Sequence, residues 1–245
     1  MSTSIWAEPV KNLKDYVVRI ETPNGHGTGF VVPTPAGDTT RCIVTAWHVI
    51  DHASEWNEPI RINHLSSKKC VFLRSDQRRI NPAKGRDQAL IHFSASELPF
   101  PEVKLSFSET DTHYVEGVEV GWLGYPAVAP ATQCFFCGHI SAYIEDTEEY
   151  FVDGVAINGV SGGPAFIQGE NEKPIIIGLV TEYHPNFATG KALPGISVVR
   201  SINPLIKHYE EQQKIQEQRK LKEAEVSDIP AKLPAQAEGT AQPCS

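Results

Sequence analysis

Tyr16-Val17-Val18-Arg19-Ile20-Glu21, Thr22-Pro23-Asn24-Gly25 and Gly27-Thr28-Gly29-Phe30-Val31-Val32 read as a strand, a turn and a returning strand. The β-branched and aromatic residues suit a pleated, half-buried surface. Asn24-Gly25 is a strong hairpin signal. Working outward, 33–38 is a Pro/Gly turn cluster and 41–45 a third strand. Further short strands are expected at 70–73, 89–93, 118–123, 134–143, 150–157, 174–180 and 195–199. Turn residues fill most of the gaps, and little helical periodicity separates the strands. That pattern belongs to an all-β sandwich or barrel, not to a parallel α/β sheet.

A chain of 245 residues with 40% hydrophobic content can bury one large all-β domain or two fused small ones. Its net charge of -8 argues against nucleic acid or an anionic membrane surface as the main partner. No stretch approaches the roughly 20 apolar residues of a membrane span. Met1 to Val10 shows no basic segment leading into an apolar run, so no secretory leader is expected. Five cysteines, an odd and sparse set, do not read as a disulfide framework, and a reducing, cytoplasmic compartment is expected. At the far end, Asn203-Pro204 is a helix start, and Ile202, Leu205, Ile206 and Tyr209 share a face that can dock on the barrel. Residues 210–225, rich in Glu, Gln, Lys and Arg, are expected to continue as a solvent-exposed helix, with at most a weak oligomer or partner contact. Residues 226–245 are expected to be disordered.

The chemistry concentrates in three segments. Gly159-Val160-Ser161-Gly162-Gly163-Pro164 sets a serine among glycines, which let one loop present a hydroxyl and bring backbone N–H groups close to a bound oxygen. Thr45-Ala46-Trp47-His48 and Arg86-Asp87-Gln88-Ala89-Leu90-Ile91 place an imidazole and a carboxylate at strand ends. A serine hydroxyl needs a base to take its proton, and the base needs a carboxylate to hold its tautomer. His48, Asp87 and Ser161 supply these groups in that chain order. Asp76 is the alternative carboxylate, but no apolar alternation follows it directly.

These segments resemble the chymotrypsin- and trypsin-like serine peptidases, and in pattern the bacterial high-temperature-requirement, or Deg-type, branch most closely. Gly27-Thr28-Gly29-Phe30 and Gly178-Leu179-Val180-Thr181 extend the resemblance, which runs in order from about Val17 to Ile206. It implies a double six-stranded antiparallel β-barrel, with barrels near 14–105 and 106–200 inside a peptidase domain of residues 1–209. Under it, His48 is general base and then acid, Asp87 orients it, Ser161 is the nucleophile, and the N–H groups of Gly159 and Ser161 form an oxyanion hole. Thr181 falls where the family places a hydroxyl beside the triad carboxylate. Val155, Ala156, Thr181, Glu182, Tyr183 and Gly195 fall in the substrate pocket, whose lack of an aspartate at its base implies a small or medium apolar side chain before the cleaved bond. Glu182, at the rim, is a place where a basic residue could enter. The implied activity is hydrolysis of protein or peptide substrates without metal or organic cofactor.

Three departures stand out. Trp47 replaces the family's small residue before the histidine, and either packs under the imidazole or distorts its loop. Val160 cannot form the ion pair by which the secreted digestive members are activated. The chain beyond Tyr209 is short and polar, so no PDZ domain is expected. Two other readings compete. A peptidase fold can bind a peptide or protein without turnover, with Ser161 unactivated. Cys134-Phe135-Phe136-Cys137-Gly138-His139 invites a zinc reading, but it offers three ligands where a closed structural site wants four, and it reads better as a buried strand.

Overall fold

A computed structural model describes residues 4–33, 40–94, 96, 98, 100, 105–109, 112–186, 193–207, 211, 214 and 218. The chain divides into compact units of residues 1–206 and 207–245. In the second unit, Glu211, Lys214 and Gln218 are helical and exposed. Tyr209, the remainder of the expected 210–225 helix and the 226–245 tail lie outside the described residues, as does the turn cluster after Pro33.

The first unit holds two sheets. One contains β1 (Val17–Thr22), β2 (Gly25–Val32), β3 (Thr40–Ala46), β4 (Ile60–His64), β5 (Lys69–Leu73), β6 (Arg78–Ala83) and β7 (Gln88–Ser94). The other contains β8 (Ser106–Phe107), β9 (Glu119–Gly124), β10 (Cys134–Ile144), β11 (Glu149–Val152), β12 (Pro164–Gln168), β13 (Pro174–Asn186) and β14 (Leu193–Ser201). The second sheet runs β12-β9-β10-β11-β14-β13, and β12 pairs again with β13, so six antiparallel strands close on themselves. Strand β8 adds in parallel to β13. The first sheet runs β5-β4-β1-β2-β3-β7-β6 and, among the described residues, no ladder joins β5 to β6. The expected double barrel is therefore one closed six-stranded barrel and one seven-stranded half-barrel.

The opening hairpin forms one residue earlier than the Asn24-Gly25 signal. Thr22 pairs with Gly25, so Pro23 and Asn24 make the turn. Strand β11 stops at Val152, and the expected extension to 157 is irregular chain. Residues 203–207 are helical as the Asn-Pro start predicts, and Ile202 and Leu205 are buried. The expectation of a buried 134–139 strand needs correction. Cys137 is exposed and Cys134 half-buried, both as free thiols, while Phe135 and Phe136 turn inward beside Trp6 and Trp122.

Apolar alternation along the strands builds three cores. Val18, Ile20, Ile43, Ile62 and Ile91 fill the half-barrel. Val120, Trp122, Tyr150, Ile177 and Val199 fill the closed barrel. Between them a third core mixes Val17, Phe30, Val44 and Leu90 with Leu123, Tyr125, Phe166 and Leu179. Helix α1 (Ala7–Leu13) seals this shared core with Leu13, and the preceding Trp6 packs on Phe135 and Phe166 while its indole N–H donates to Glu119.

Candidate active site

His48 sits in a short 3-10 turn after β3, where β3 pairs with β7 as far as Ala46 and Gln88. That ladder brings Asp87 alongside. The Asp87 carbonyl accepts from the Trp47 N–H at 3.0 Å. Its Oδ1 accepts from the His48 N–H at 2.9 Å, and its Oδ2 lies 2.7 Å from the imidazole Nδ1. Asp87 reaches this position with a left-handed backbone, φ 49°, a conformation aspartate tolerates better than most side chains. Trp47 leaves the geometry intact. Its ring packs on the half-barrel core under the Lys84 ammonium.

The Asp87 hydrogen bond holds the His48 imidazole above its ordinary pKa of 6.5, against burial, which lowers it. The charges of Asp87, Asp51 and Glu182 act in the same upward direction.

Ser161 rides on a tightly tied loop. Gly162 N–H donates to Val180, Val180 N–H to Gly163, and Gly163 N–H to Val160. Gly162 has φ +87°, and a Cβ there would collide with the Thr28 carbonyl and the Thr45 hydroxyl. Gly159 has φ +92°, and a Cβ there would collide with the Tyr125 carbonyl and the His26 ring. Only glycine serves at both places. The Asn158 carbonyl accepts from Ala127 N–H at 2.7 Å, so the Gly159 N–H of the same trans peptide points the opposite way. Among the described residues, neither the Gly159 nor the Ser161 N–H donates to a protein acceptor.

Thr28 ties this loop to the half-barrel. Its N–H donates to the Ser161 carbonyl at 2.8 Å and its hydroxyl to the Gly159 carbonyl at 2.7 Å. The same hydroxyl accepts from Tyr125 N–H. Thr28 lies in a local strand pattern that gives no sign of this role. Nor does the local sequence mark Arg86, whose guanidinium pairs with Glu148 and so ties the Asp87 turn to the closed barrel.

His48, Asp87 and Ser161 line one cleft of about 440 Å³ with Ala156, Ile157, Asn158, Val180, Thr181, Glu182, Tyr183 and Arg200. Val155, 44% exposed, and Gly195 are not among its lining residues. Arg200 carried no sequence signal. Two contacts differ from the arrangement the resemblance implied. The Ser161 hydroxyl donates to the Thr181 carbonyl at 3.2 Å, and among the described residues no hydrogen bond joins it to His48. The Thr181 hydroxyl is buried without a partner among the described residues, so it does not brace Asp87.

A half-barrel and a closed barrel with a cleft lined by both make a trypsin-like double-barrel fold. The chain belongs to the trypsin-like peptidase domain family, which matches residues 27–173. That membership supports a serine protease. Among solved structures, Deg5 superposes with a TM-score of 0.61 at 17% identity, covering 83% of this chain and 91% of Deg5. The serine endoprotease from Yersinia pestis superposes with a TM-score of 0.62 at 20% identity, covering 86% of this chain and 67% of that one. At such identities these likenesses establish the fold. No curated protein matches the sequence significantly.

The Thr28 clamp makes a prediction. Thr28→Val keeps the shape but strands the Gly159 carbonyl and the Tyr125 N–H, and should destabilise the protein by about 2 kcal/mol. Urea denaturation should show a lower midpoint at unchanged slope, and Thr28→Ser should restore most of the loss.

Proposed function

We propose that the protein is a serine endopeptidase that hydrolyses peptide bonds through an acyl-enzyme on Ser161. The observation that carries this reading is the two-point grip of Asp87 on His48, in a cleft that also holds Ser161. In the reaction, Ser161 Oγ bonds to the substrate carbonyl carbon as its proton passes to His48 Nε2. The oxyanion is held by the N–H groups of Gly159 and Ser161, which have no protein acceptor among the described residues. His48 then gives its proton to the departing amine, and water repeats the sequence to release the acid. Asp87 keeps Nδ1 protonated and stabilises the imidazolium throughout. The Ser161 hydroxyl must first leave the Thr181 carbonyl and rotate toward His48. Ala156, Ile157 and Val180 offer an apolar wall to the side chain before the cleaved bond. A reducing, cytoplasmic setting is part of the same proposal and rests on the odd, sparse cysteine set.

The contact between Ser161 and Thr181 favours one rival, a binding module that holds a peptide without turning it over. A fluorophosphonate probe separates the two. We expect labelling of the native protein that disappears in Ser161→Ala; folded protein that never labels would leave the binding module standing.

The base must be neutral to act, and Asp87 favours its charged form. Activity should therefore fall on acidification with a midpoint above 6.5, and Asp87→Asn should move that midpoint down while slowing turnover by roughly 10³–10⁴-fold. A rate independent of pH between about 5 and 8 would exclude His48 as the base. Cleavage profiling on a peptide library should show small or medium apolar residues immediately before the cut; a profile dominated there by Arg or Lys would refute the apolar pocket.

A further inference from the structure

The polar end of the cleft has an unequal charge count. Arg200 of β14 lines it, with a side chain only 17% exposed, and its Nη1 lies 2.5 Å from Oε1 of Glu149 on β11, which is 11% exposed. That is a nearly buried, closely made pair, so the charge of Arg200 is already matched. Glu182 of β13 also reaches Arg200, but at 3.3 Å and with its own side chain 49% exposed. Arg86 is taken up by Glu148, and His48 by Asp87. Glu182 is thus the surplus anion of the cleft: loosely held, half in solvent, and lining the same cavity as Ser161.

Its position follows from the ladder. Glu182 pairs with Val198, and Arg200 lies two residues further along β14, on the same face. The carboxylate therefore reaches Arg200, while Ala156 and Ile157 line the cavity from the loop before Ser161. A substrate can present an apolar side chain to one and a cation to the other.

We propose that Glu182 is a specificity-determining carboxylate that takes a lysine or arginine side chain of the substrate, at a position other than the one seated in the apolar pocket. The substrate class is a peptide that pairs an apolar residue at the bond with a nearby basic one. This rests on the cleft being a peptide site, and it deepens the peptidase reading.

The test uses full-length Ser161→Ala protein, which can bind but not cleave. Otherwise identical fluorescent peptides carry a single lysine at successive positions around a fixed apolar residue, each with a glutamine counterpart. Anisotropy titrations should find one position where lysine binds about fivefold tighter than glutamine. That ratio should fall towards one in high salt and on adding Glu182→Gln, and Glu182→Lys should favour glutamate there instead. Equal affinities at every position, a lysine preference that survives Glu182→Gln, or no binding of any peptide overturns the proposal. Intact binding preference without turnover in the wild type overturns the peptidase reading alone.

Discussion

Thr28 holds the loop that carries Ser161 through its N–H and its hydroxyl, and it belongs to the barrel that carries His48 and Asp87. That attachment sets the serine and the imidazole in one frame. With it, the carbonyls of residues 159 and 161 are both engaged, while the N–H groups of Gly159 and Ser161 have no protein acceptor among the described residues. Thr45 reinforces the arrangement by donating its hydroxyl to the Thr28 carbonyl at 2.7 Å. The crowding around Gly162 is the steric counterpart of the same attachment, since the atoms that exclude a side chain there belong to Thr28 and Thr45.

The second constraint is electrostatic. Asp87 spends one carboxylate oxygen on a backbone N–H and the other on the imidazole, so residue 48 is fixed in both position and ring orientation. The left-handed backbone at Asp87 is a local cost of that placement. The Arg86–Glu148 pair and the Gln88 amide donating to the Ser201 carbonyl flank the turn on either side and tie it to the other barrel. The carboxylate is thus held from both halves of the fold.

What could be read from the sequence follows from the range of the signals. Short strands with alternating burial and turn residues between them are local, so β1, β3, β7 and β13 were legible from their own residues. Strands β4 and β6 were not, because Asn63, His64, Asn81 and Pro82 blur the alternation that their pairing with neighbours later enforces. Helix α1 was missed because its burial depends on Trp6 finding Phe135 and Phe166, more than a hundred residues away. At the site, the serine, histidine and aspartate sit in recognisable local patterns. Thr28, Arg200 and Glu149 act through contacts between distant segments, and their roles emerge only when the strands are assembled. The Cys134–Cys137 stretch failed for a related reason: two phenylalanines between two thiols leave the choice of inward face to the neighbouring sheet.

The core between the barrels gives the cleft its mechanical character. Val17, Phe30, Val44 and Leu90 meet Leu123, Tyr125, Phe166 and Leu179 with almost no exposure. Parting the barrels would wet these side chains at about 1.5–3 kcal/mol apiece. The cleft therefore cannot widen like a jaw to admit a folded guest. It is a slot of fixed gauge, and on the proposed reading what enters it is already an extended, unpaired length of chain.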